Sequence, residues 1–88
     1  MSALNEPILK LMNRTYEPQR IVELTFGRYD LAFKTDPQGR PVLLFMGKKD
    51  QTTGKIKGER FARRLVQDDA GLVLKDHWDK KGRATAQF

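Results

Sequence analysis

The stretch YDLAFKTDPQGRPVLLFM, residues 29–46, decides the fold. Its first half alternates: Tyr29, Leu31 and Phe33 point one way, and Asp30, Ala32 and Lys34 the other, which is the period of a strand, here Arg28 to Thr35. Asp36-Pro37-Gln38-Gly39 is then a strong turn signal. Asp suits the first turn position, Pro presets the second, and Gly adopts the left-handed conformation that closes a three-residue hairpin with a bulge. If Asp36 opposes Arg40, Phe33 falls opposite Leu43 and Leu31 opposite Phe45. That register gathers Tyr29, Leu31, Phe33, Leu43 and Phe45 on one face. Val42, Leu44 and Met46 line the reverse face. A strand apolar on both sides is central and covered on both faces, with an N-terminal helix as one cover.

Upstream, Arg20 to Phe26 reads as a strand with Val22, Leu24 and Phe26 on one face, and Gly27 breaks it. Further back, Asn5 to Asn13 reads as a short helix. Asn5 caps it, Glu6 suits its positive end, and Pro7 fits the first turn. Leu4, Ile8, Leu11 and Met12 form one apolar stripe, and a helix this short must dock to persist. Glu17-Pro18 ends any continuation. Downstream, Gly47 to Gly54 is a polar loop, Ile56 to Gln67 a long fourth strand, Asp68-Asp69-Ala70-Gly71 a second turn like the first, and Leu72 to Trp78 a fifth strand. If this turn closes as the first does, Arg64 opposes Asp76 and Ala62 opposes Trp78.

The expected architecture is therefore a single α+β domain over 1–88. A helix over 5–13 precedes a five-stranded antiparallel β-meander over 20–79, and 80–88 form a flexible basic tail. The alternative is a small, partly open β-barrel.

Composition narrows the function. The chain has 88 residues, 39% of them apolar and 32% charged, and no cysteine. That removes a disulfide framework, a thiolate nucleophile and cysteine-ligated zinc. The longest apolar run, Val42 to Met46, is far short of the roughly 20 residues a membrane-spanning helix needs. The N-terminus reads as no secretory signal, and the expectation is a cytoplasmic protein with no membrane partner. His77 is the only histidine and Ser2 the only serine, so a Ser–His–acid arrangement is excluded and no enzyme activity is expected. His77 shares its strand face with Asp79 but not Asp76, too few ligands for a metal; neither a metal nor a cofactor is expected. Gly47 to Lys55 lacks the order of a phosphate-binding loop.

Charge is the one feature above background. Basic and acidic residues number six and five up to Gly47, and eleven and six from Lys48 on, within a net charge of +6. The candidate nucleic-acid-binding residues are Lys57, Arg60, Arg63, Arg64, Lys75, Lys80, Lys81 and Arg83. Such clusters neutralise phosphates, and an arginine fork holds a phosphate through two hydrogen bonds. The expected register sets Phe61, Arg63, Leu65, Lys75 and His77 on one face, an aromatic–basic mixture of the kind that single-strand binders use. The plainer reading keeps Phe61 and Trp78 in the core of a small protein. The expected function is thus a small non-enzymatic module that binds DNA or RNA through a basic sheet surface. The alternative is a protein-interaction or self-association module whose sheet edge pairs with a protein partner or a second copy.

Overall fold

The computed structural model describes residues 4–86. They form a helix α1 (Glu6–Met12) and five strands, β1 (Ile21–Phe26), β2 (Tyr29–Thr35), β3 (Pro41–Lys49), β4 (Ile56–Gln67) and β5 (Val73–Thr85). The strands make one antiparallel sheet in the order β1-β2-β3-β4-β5, and β1 does not pair with β5. The α+β meander is thus the observed architecture, and the sheet is not closed into a barrel.

Both aspartate turns form as their residues dictate. Asp36 donates its N–H to the Arg40 carbonyl at 2.9 Å, and its Oδ1 accepts from the N–H groups of Gln38 and Arg40 at 2.9 and 2.8 Å. Asp68 repeats this with Leu72 and Ala70, its Oδ1 accepting at 2.9 Å from each. Gly39 and Gly71 take the left-handed corner at φ 81° and 86°.

Immediately past each turn, however, one residue is extruded. Thr35 faces Pro41 but Lys34 faces Leu43, so Val42 bulges; Gln67 faces Val73 but Val66 faces Lys75, so Leu74 bulges. Each bulge shifts the register by one and exchanges the faces of the returning strand. Phe33 therefore opposes Leu44, not Leu43, and Leu31 opposes Met46, not Phe45. In the second hairpin Trp78 opposes Arg63 and His77 opposes Arg64, in place of the expected Ala62–Trp78 and Arg64–Asp76 pairs.

The two faces follow from this register. On the helix face, Leu31, Phe33, Leu44, Phe61 and Trp78 pack against Leu4, Ile8 and Met12 of the helical segment, with Val22, Leu24 and Met46 at the margin. Asn5 caps α1 by accepting from the Ile8 N–H at 3.2 Å, and Asn13 caps the other end. Phe61 and Trp78 are both core. On the opposite, open face a smaller cluster forms from Ala32, Phe45, Ile56 and Ala86, flanked by Leu43 and Ala84. So β3 is apolar on both sides for the expected reason, with its two sets of side chains exchanged.

Two further differences lie in the second half. β3 runs on to Lys49, and the polar loop contracts to a turn in which Asp50 Oδ1 accepts from the N–H groups of Thr52 and Thr53 at 2.7 and 3.1 Å. Residues 80–85, expected as a tail, continue β5: Arg83 faces Glu59, Ala84 faces Gly58 and Thr85 faces Lys57. A third bulge, at Lys81, precedes this stretch, and the Ala86 N–H donates to the Ile56 carbonyl at 2.8 Å. Gly82 and Ala84 offer no bulk on the open face, so strand pairing continues where little side-chain packing was legible. Residues 87 and 88 lie outside the described residues.

Gly47 and Gly58 face each other across β3 and β4. A Cβ on Gly47 would run into the Lys57 carbonyl, and one on Gly58 into that of Met46. Glycine at both positions lets the two strands approach more closely than a side chain would allow, and beside them Ile56 and Ala86 join Ala32 and Phe45 on the open face.

The connector from α1 to β1 is pinned by Thr35, 2% exposed. Its hydroxyl donates to the Glu17 carbonyl at 2.7 Å and accepts from the Arg20 N–H at 2.8 Å. Thr35→Val keeps the shape and loses both bonds. It should cost about 1–3 kcal/mol in a denaturant titration, and Thr35→Ser should restore most of that. Equal stability of wild type and Thr35→Val would show that the connector is held by something else.

Candidate nucleic-acid interface

The register divides the eight candidate cations into three groups. Arg60, Arg64 and Lys75 fall on the open face of the β4–β5 ribbon, Arg60 beside Phe45, Arg64 beside His77 and Lys75 beside Val66. Lys81 joins them from its bulge, on a groove of about 360 Å3 lined also by Leu43, Phe45, Arg60, Arg83, Ala84 and Thr85. All four side chains are exposed. None of the four makes an ion pair among the described residues.

Lys57, Lys80 and Arg83 are already engaged. Lys57 Nζ stands 3.4 Å from the Asp50 carboxylate. Lys80 and Arg83 share Glu59, each 3.8 Å from one of its oxygens. By register Lys57, Glu59, Lys80 and Arg83 share the face of Met46 and Phe61, so these half-exposed pairs lie on the side of the sheet opposite Arg60, Arg64 and Lys75.

Arg63 belongs to the architecture and not to the surface. Its side chain is 6% exposed on the helix face. Nε and Nη2 donate to the two carboxylate oxygens of Asp76, each at 2.7 Å, and Nη1 donates to the carbonyls of Met12 and Pro41 at 3.1 and 3.2 Å. The guanidinium carbon lies 5.7 Å from the Trp78 ring centroid. With Nη2 also reaching Asn13 Oδ1 at 3.5 Å, the fork's five N–H groups go to a carboxylate, the last helical turn and its cap, and the start of β3. The structure therefore does not bring Arg63 together with Arg60, Arg64 and Lys75 on the open face. The aromatic–basic mixture also dissolves, because Phe61 and Arg63 lie on one face while Lys75 and His77 lie on the other.

His77 Nε2 lies 3.4 Å from Asp79 Oδ2, the pair that alternation places on one face. No group of three or more potential metal ligands occurs among the described residues. No helix among them is long and apolar enough to cross a membrane.

Lys34 escaped the sequence reading. It is exposed on the open face, beside Leu43. The alternation of β2 separates Lys34 from Leu31 and Phe33, but only the Val42 bulge sets it on the same face as Leu43 and Arg60.

Open-face rings are scarce. Phe45 forms the floor at 3% exposure, and the exposed large rings, Phe26 at 39% and Tyr29 at 41%, sit on the helix face at the distant β1–β2 corner. The open face therefore offers cations over an apolar floor and no stacking platform beyond the half-buried His77.

No family model matches the chain, and neither a curated protein nor a solved structure proved similar to it.

Proposed function

We propose that the protein is a non-enzymatic module that binds the phosphate backbone of DNA or RNA along its open face. The observation that carries this reading is the set of four exposed cations, Arg60, Arg64, Lys75 and Lys81, unpaired among the described residues, on one side of a single two-stranded ribbon. Arg60 and Arg64 lie four residues apart on one strand, about 13 Å along it, so the two side chains reach separate, non-adjacent backbone phosphates. The scarcity of exposed rings on this face favours contacts to phosphate over stacked bases, and hence tolerance of sequence.

Titration of labelled single strands and duplexes by fluorescence anisotropy tests it. Four phosphate contacts imply that affinity falls roughly 50- to 150-fold between about 50 and 200 mM salt. Changing Arg60, Arg64, Lys75 and Lys81 together to Gln should abolish both the binding and its salt dependence. Changing Lys57, Lys80 and Arg83 to Gln should leave most of each. Absence of binding at the lower salt concentration would overturn the proposal.

A further inference from the structure

The β4–β5 hairpin outruns the rest of the sheet. β3 leaves β4 at the Leu43–Ala62 pair, so from Arg63 to Gln67 the strand is paired on one side only, with β5. This projecting end also exposes apolar bulk: Val66 is 40% accessible, Leu72 64%, Val73 41% and Leu74 60%. An open strand edge beside exposed aliphatic side chains is a template for another strand, and proteins that stay monomeric usually guard it.

We propose that this edge of β4 pairs antiparallel with the same edge of a second copy, giving a two-fold dimer with one sheet continuous across the axis. A strand paired with itself in this way has its axis normal to the sheet and passing beside one residue, which then faces its own copy. Charge selects that residue. An axis at Arg64 would set arginine against arginine. An axis at Val66 sets valine against valine and places Arg64 opposite Asp68 of the second copy, twice over. Arg64 makes no ion pair within the chain among the described residues. Asp68 holds its own turn through Oδ1 and leaves Oδ2 for such a partner.

The other two edges lack this complement. Within β1 the only charged residue is Glu23. The outer edge of β5 carries Lys80 and Lys81 beside a bulge, a combination that deters pairing. Because the axis is normal to the sheet, the open faces of both copies lie on the same side. Arg60, Lys75 and Lys81 of each copy then form one basic surface of six cations across the axis, and Arg64, which faces phosphate in the single copy, pairs with Asp68 in the dimer.

Dimerisation is read without nucleic acid, so its failure is separate from failure of the binding proposal. Sedimentation equilibrium should show a monomer–dimer exchange, and Arg64→Glu, which sets like charges opposite each other twice, should weaken it by about 10-fold or more. The chain has no cysteine, so single cysteines report on the axis. Under a mild oxidant Val66→Cys should form a covalent dimer, and Gln51→Cys, in the β3–β4 turn, should not. A mass that stays monomeric at every concentration would overturn the proposal. So would a dimer that Arg64→Glu leaves intact and Val66→Cys does not cross-link.

Discussion

Arg63→Ala should lower stability by about 3 kcal/mol, the cost of breaking a largely buried ion pair and orphaning two backbone carbonyls. In a domain of this length that corresponds to a fall of roughly 12–24 °C in the melting midpoint. The figure is at the lower end for a buried pair because Asp76 retains 36% side-chain exposure and can be rehydrated. Arg63→Lys should recover little of the loss. A single ammonium cannot satisfy both Asp76 oxygens and two carbonyls that approach from different elements. A lysine variant as stable as wild type would show that charge, not the planar fork, is what this position needs.

The same pair leaves a mark on acid unfolding. Hydrogen bonds from Arg63 hold the Asp76 carboxyl below its ordinary value, against a smaller upward push from burial. Because the folded value is the lower one, the stabilisation is complete above the unfolded value of about 3.9 and is lost as pH falls through the folded value. Arg63→Ala should therefore flatten the acid limb of stability against pH as well as lowering the neutral plateau. Some slope will remain. Burial raises the Asp36 carboxyl, but hydrogen bonds from Arg40 and Gln38 together outweigh it and hold the group low as well.

Gly47→Ala is expected to be of similar severity, about 3 kcal/mol or more, for a different reason. The added methyl meets the Lys57 carbonyl and the Gly58 Cα, which are backbone atoms, so no rotamer change relieves it. Relief requires β3 and β4 to part at the Gly47–Gly58 pair. Gly54→Ala gives the cost of backbone strain alone: unlike Gly47, Gly54 sits at φ 72°, where side chains are disfavoured, but a methyl there meets nothing. It should cost only about 1–2 kcal/mol. If the two variants melt together, close approach of the strands is not what glycine supplies at Gly47.

Why the elements were legible and the register was not comes down to single residues. Alternation in β2 and β4, the cap at Asn5 and the paired Asp–Gly turns are local signals, and each produced its element. Within β4 the grouping of Phe61, Arg63 and Leu65 against Ala62, Arg64 and Val66 follows from the period alone, and the structure keeps it. Which residues of β5 join each group depends on Leu74, one extruded position that no local preference marks. That residue moves Asp76 and Trp78 onto the face of Arg63, and Lys75 and His77 onto the face of Arg64. The candidate site was therefore legible as a charged region but not as a surface, since burial of Arg63 and exposure of Arg64 are decided across strands. The extension of β5 was hidden for a related reason: Gly82 and Ala84 pair through backbone groups that every sequence possesses.

The packing of α1 against Phe61 and Trp78 has a consequence for the order of events during synthesis. Each strand pairs only with its neighbour in the chain, so successive hairpins close short loops and can zip as they leave the ribosome. The helical segment emerges before the strands, yet part of its seat is made by Phe61 of β4 and Trp78 of β5, and a carbonyl of its last turn is received by Arg63. The helix is thus made before the strands and seated after them. Until β5 arrives, Ile8 and Met12 are the side chains a nascent chain leaves uncovered longest.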